Sequence, residues 1–228
     1  ELNTPVLVVD RDALQRNIEL MAGLARANGV ALRPHAKTHK SVDIARLQIA
    51  AGAVGICCAK LGEAEAVAAG GIDSILITSP VVTSPALHRL AALNARMRDL
   101  AVVVDTVSNV TALANVTAGV KLNVLIDIDP GVRRTGVTSI DAAIEVLQAI
   151  QANPHLAYRG VQFYCGPQQH IASYAERAAV IAERMDYLCG VMAELGRCGG
   201  KPEVVTGCGT GTHYIDAALG VFNEWQVG

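Results

Sequence analysis

Apolar positions along the chain fall into two alternating rhythms: short, nearly continuous apolar runs, and longer segments with apolar residues three or four apart. The short runs predict strands at residues 31–37, 54–59, 74–78, 100–105, 122–128, 158–165, 203–206 and 223–227. Helical spacing fills the intervals near 41–51, 62–70, 84–96, 108–117, 139–152, 172–196 and 213–219. A strand at 5–10 and a helix at 11–28 precede them, the helix carrying Leu14, Ile18, Met21 and Leu24 on one stripe.

Strand and helix alternate throughout, which is the signature of parallel βα units. Eight such strands close most economically as a (β/α)8 barrel, a fold of usually ~250 residues that carries its working groups at the C-terminal ends of the strands. The 228 residues are therefore expected to form one barrel domain. The strand at 5–10 lies outside the count of eight and is expected to pair with a β-domain that this chain does not contain.

Composition narrows the classes. With 51% hydrophobic and 18% charged residues the chain has the material for one large core. A net charge of -2, two Phe and one Trp give neither a phosphate-backbone footprint nor a base-stacking platform, so nucleic acid is not an expected partner. No apolar run reaches the ~18 residues that span a bilayer, and no leader pattern opens the chain, so no membrane is expected and the cytoplasm is the default location. Cys57, Cys58, Cys165, Cys189, Cys198 and Cys208 include no CxxC pair and read as reduced thiols. One of the adjacent pair Cys57-Cys58 is expected to face into the barrel and the other out toward a helix.

The end of the first strand is the most informative stretch: Pro34-His35-Ala36-Lys37-Thr38-His39-Lys40. If residues 31–37 are extended, Ala31, Arg33, His35 and Lys37 share a parity and point inward together. An amine held among other cations and partly desolvated can attack an aldehyde to form a Schiff base. A solvated lysine at a strand end is the plain alternative.

Other strand ends add to it. The fifth ends Asp127-Ile128-Asp129-Pro130-Gly131-Val132-Arg133-Arg134, with both aspartates on one parity, placed to neutralise Arg33 and His35. An internal ion-pair network that only supports the barrel would use Asp127 equally well. The sixth presents Gln162 and Tyr164 on one face and is followed by Gln168-Gln169-His170, where a loop imidazole can exchange a proton near neutral pH. After the seventh comes Thr206-Gly207-Cys208-Gly209-Thr210-Gly211-Thr212, whose backbone N–H groups can cradle an anion. A tight turn explains that run too, and its place near the chain end excludes a dinucleotide fingerprint.

These segments, with Gly55-Ile56-Cys57-Cys58-Ala59-Lys60 and Asn223-Glu224, resemble the D-threonine aldolase and 3-hydroxy-D-aspartate aldolase group of the alanine-racemase-like, fold type III pyridoxal phosphate enzymes. The likeness runs in order over nearly the whole chain. It implies that Lys37 bonds pyridoxal 5'-phosphate, that Arg134 is a cation near the ring oxygen, and that Tyr164 contacts the ring. It further implies that Gly209, Thr210 and Gly211 hold the phosphate and that His170 takes the substrate's β-hydroxyl proton. The group also has a C-terminal β-domain with a histidine and an aspartate for a divalent metal, Mn or Mg, which is assigned to no residue here. A homodimer is expected.

The activity so implied is retro-aldol cleavage of a D-β-hydroxy-α-amino acid, of the D-threonine or 3-hydroxy-D-aspartate type, to glycine plus an aldehyde. A D-serine or D-threo-3-hydroxyaspartate dehydratase would share fold and cofactor but expel the hydroxyl. A non-catalytic pyridoxal phosphate carrier has about this length, but has no use for a substrate-facing base such as His170. A racemase needs a second acid/base for which no candidate is evident.

Overall fold

In the computed structural model, which describes residues 3–117 and 119–228, eight parallel strands alternate with helices as the apolar rhythm requires. The order is α1 Arg11–Ala27, β1 Ala31–Leu32, α2 Val42–Ala50, β2 Ile56–Cys58, α3 Leu61–Ala69, β3 Ser74–Ile77, α4 Ser84–Asn94, β4 Asp99–Val104, α5 Val107–Val116, β5 Leu122–Ile128, α6 Ile140–Gln151, β6 Leu156–Phe163, α7 Tyr174–Arg197, β7 Val204–Gly207, α8 His213–Leu219 and β8 Glu224–Trp225. Oxygen-bearing side chains start the helices: Asp10, Ser41, Thr106, Ser139 and Ser173 each accept a backbone N–H of the first turn.

The sheet runs β1-β8-β7-β6-β5-β4-β3-β2. Its free edges meet where His35 bridges Cys57 in parallel, with Cys57 N–H donating to Pro34 O at 2.8 Å and Val54 N–H to Leu32 O at 2.9 Å. The sheet thereby closes into a barrel. Between β5 and β6 the register slips at Val124/Leu125, which makes Arg159 an extra residue and brings Gly160 to a φ of 146°. A Cβ at Gly160 would run into the carbonyl oxygen of Val204 on β7, so glycine is required there.

Alternate strand residues point inward and stack in layers. At the N-terminal end Arg33, Ser74, Asp99, Asn123 and Glu224 form a polar floor. Above it Cys57, Leu76, Val103 and Leu125 make a dry layer, each at most 2% exposed. Burial of each of the larger aliphatic side chains contributes roughly 1.5–3 kcal/mol. Above that lie His35, Thr78, Asp127, Gln162, Thr206 and Gln226, polar, buried and beneath the mouth. Cys58, the outward member of the pair, packs in the larger core between strands and helices.

Residues 5–10 form no strand within the chain, and Leu7 is 97% exposed. The first strand also departs from the expected 31–37: its backbone bonds to both neighbouring strands only as far as His35, after which Ala36–Thr38 wind into a 3-10 turn.

Candidate active site

The 3-10 turn sets where Lys37 points. His35 precedes it with extended backbone, and its Nδ1 accepts the Lys37 N–H at 3.3 Å, while His39 N and Lys40 N donate to Ala36 O. Lys37 therefore stands in a 3-10 turn, not in the extended strand that was expected to carry it. Its side chain is exposed at the mouth rather than enclosed among cations, with Nζ 4.6 Å from the centroid of the Tyr164 ring. Lys40 is engaged elsewhere, its Nζ 3.2 Å from the Glu63 carboxylate.

Tyr164 follows β6 at the rim and is the hub of the site. The Arg134 guanidinium lies 6.0 Å from its ring centroid. Its hydroxyl accepts from Gln169 Nε2 at 3.0 Å, and Gln169 Oε1 accepts the Gly211 N–H at 3.0 Å. Gln169 thus links the tyrosine to the glycine loop, packed where a Cβ on Gly209 would have to sit. Thr210 closes the loop against the chain end, its hydroxyl donating to Gly228 O at 3.0 Å. His170 is exposed at the last position of the 3-10 turn Pro167–His170, and that turn is held over the glycine loop through its neighbour Gln169.

Of the expected site residues, Lys37, Arg134 and Tyr164 come together directly. Gly209, Thr210 and Gly211 join through Gln169, and His170 only through that same residue. Gln169 itself was legible merely as a polar residue beside His170, because its role is a long-range contact.

The expected pairing of the aspartates with Arg33 and His35 is corrected. Arg33 belongs to the floor, with Nε donating to Glu224 at 2.9 Å and Nη1 to Ser74 Oγ at 2.9 Å. His35 meets no carboxylate: burial, then the nearby Lys37, push its pKa down to about 3, so it is neutral. Asp129 turns to its own loop, one oxygen accepting the N–H groups of Gly131, Val132 and Arg133 at 2.7–3.0 Å. Asp127 accepts from Gln162 Nε2 at 2.8 Å, and burial pushes its carboxyl up to about 6 against the hydrogen bonds from Gln162 and Thr135.

Among the described residues no group of three or more His, Cys, Asp or Glu could hold a metal ion, and no helix is long and apolar enough to cross a membrane. A largely apolar groove of about 500 Å³ runs against α1 and α2 and reaches Thr38, His39 and Thr210.

A parallel barrel that gathers a lysine, a tyrosine, an arginine and a glycine loop at the C-terminal ends of its strands defines the class. The chain belongs to the family described as alanine racemase, N-terminal domain, whose pattern matches residues 9–228. It is 39% identical to a 3-hydroxy-D-aspartate aldolase of Paracoccus denitrificans over 231 residues, covering 100% of this chain and 60% of that protein. A D-threo-3-hydroxyaspartate dehydratase of Delftia sp. is 38% identical, with 92% of this chain and 55% of that protein covered. The crystal structure of D-threonine aldolase from Filomicrobium marinum superposes with a TM-score of 0.96 at 39% identity, over 99% of this chain and 62% of that one. The chain thus spans about 60% of the length of these relatives.

Proposed function

We propose that this barrel carries the pyridoxal phosphate site of a lyase that cleaves a D-β-hydroxy-α-amino acid to glycine and an aldehyde. The observation that carries the reading is the line from Lys37 over Tyr164 through Gln169 to the glycine loop. The residues fit the cofactor. An amine stands over an aromatic ring, a guanidinium is near the same ring, and a backbone N–H in a glycine loop already meets an acceptor oxygen, the partner a phosphate would supply.

Bound there, pyridoxal phosphate supplies a sink for the electron pair left at Cα when the Cα–Cβ bond breaks. Lys37 would be the residue that holds the cofactor through its aldehyde. Gly209, Thr210 and Gly211 bind the phosphate, Tyr164 supports the ring, and Arg134 serves its oxygen side as a cation. His170 accepts the β-hydroxyl proton, the step that commits the substrate to cleavage. The divalent metal implied by the resemblance has no ligand set among the described residues. A homodimer in the cytoplasm completes the proposal.

A dehydratase is the second reading, favoured by the 38% identity to an enzyme named for that reaction. Loss of hydroxide needs a base at Cα and a Lewis acid on the leaving oxygen, whereas cleavage needs a base on that oxygen, which His170 supplies. Full-length protein incubated with pyridoxal phosphate, manganese and D-threonine or 3-hydroxy-D-aspartate, with glycine, aldehyde and ammonia assayed separately, decides between them. Glycine with aldehyde is expected; ammonia without glycine overturns the aldolase reading.

A further inference from the structure

We propose that His35 is a positioning residue for Lys37, fixing through its ring the turn that presents the lysine amine. The proposal rests on the reading of Lys37 as the cofactor-bonding lysine. The imidazole is 4% exposed, and both of its nitrogens are committed. Nδ1 accepts the Lys37 N–H at 3.3 Å, so it carries no proton. Nε2 lies 3.0 Å from Thr78 Oγ1, whose own hydroxyl donates to Cys58 O at 3.3 Å, so Nε2 carries the proton and donates it to Thr78. A single neutral tautomer satisfies every contact.

The choice of histidine follows from reach. Asparagine or serine would cap a 3-10 turn as well, but neither could also extend from β1 over β2 to the end of β3. Thr78 is in turn anchored across the barrel, because its carbonyl accepts Gln162 Nε2 at 3.1 Å and that same amide group donates to Asp127. The backbone of Lys37 is thereby referenced to three other strands instead of resting on a loop alone, the support that holds a reacting group in place. Burial keeps the ring neutral; a proton on Nδ1 would face the Lys37 N–H donor to donor.

Two amide substitutions separate positioning from packing. The asparagine oxygen falls about where Nδ1 lies and can accept the Lys37 N–H, whereas the glutamine amide reaches about where Nε2 lies and can serve only Thr78. Full-length His35→Asn, His35→Gln and wild-type proteins are reconstituted with pyridoxal phosphate. For each, the rate of bond formation to Lys37 is followed by absorbance, the pyridoxyl label after borohydride is mapped, and the melting temperature is recorded. His35→Asn is expected to react near the wild-type rate, and His35→Gln, at a comparable melting temperature, roughly 10- to 100-fold slower. Equal rates for the two variants, or rescue by glutamine and not asparagine, overturn the proposal.

Nitrogen NMR of wild-type His35 needs no variant to fold: the Nε2–H tautomer is expected, and Nδ1–H overturns the cap. Absence of a label on wild-type Lys37 refutes the cofactor reading instead, and the tautomer then decides the cap alone.

Discussion

The Tyr164 hydroxyl and the Gly211 amide are joined by one side chain, Gln169, which donates to the first and accepts from the second, each at 3.0 Å. Tyr164→Phe keeps the ring under Lys37 but removes the hydroxyl. The expected outcome is unchanged bonding at Lys37 with cofactor affinity lower by about 2- to 10-fold, the worth of one hydrogen bond. Tyr164→Leu, which removes the ring as well, is expected to weaken affinity further, and equilibrium dialysis measures both.

Gly209 can take a side chain only by displacing the amide of Gln169, the far end of a flexible chain. Gly209→Val is therefore expected to leave the melting temperature nearly unchanged and to weaken cofactor retention roughly 10- to 100-fold through lost hydrogen bonds to a charged phosphate. Unaltered affinity in dialysis would return the loop to the status of a tight turn.

In the proposed reaction His170 would act only after the cofactor is bonded, because transfer from Lys37 to the substrate amine would use a different proton. His170→Gln is expected to bind cofactor and substrate normally, seen in the absorbance, while turnover falls by roughly 10²- to 10⁴-fold. Near-normal aldehyde release from the variant would move the proton acceptor elsewhere.

Asp127 gives the fold a pH dependence of definite sign. Its folded pKa, pushed up to about 6 chiefly by burial, exceeds the ordinary 3.8, so between these values the unfolded chain has released a proton that the native state still holds. Its contribution to stability is full below the lower value, falls as pH rises through the window, and is level above about 6. Asp127→Asn is expected to abolish that slope, gaining up to roughly 3 kcal/mol at neutral pH and nothing in acid. Denaturant melts across pH test it, and an unchanged slope would assign the effect to another group.

Local periodicity governs the features of the barrel that are legible in the sequence. The strand at 122–128 and the helix at 213–219 have the expected bounds, and the parity of Cys57 and Cys58 separates an inward from an outward thiol. What escaped was decided by contacts distant in the chain. Arg33 was expected at the mouth beside Asp127, yet the stagger of the barrel sets it against Glu224, 191 residues away, on the floor. Lys37 stands in a 3-10 turn instead of the extended strand, and one nitrogen of His35 accepts its amide there. Gln169 lies inside the Gln168-Gln169-His170 segment, yet its linking role arises only when β6 and β7 bring their following loops together.

The most direct measurement is borohydride reduction of the full-length protein reconstituted with pyridoxal phosphate, followed by peptide mapping. The expected result is a single pyridoxyl group on Lys37, the lysine whose amine stands 4.6 Å from the Tyr164 ring centroid. A label on Lys40, which is paired with Glu63, or on Lys60 would contradict the site described for this barrel.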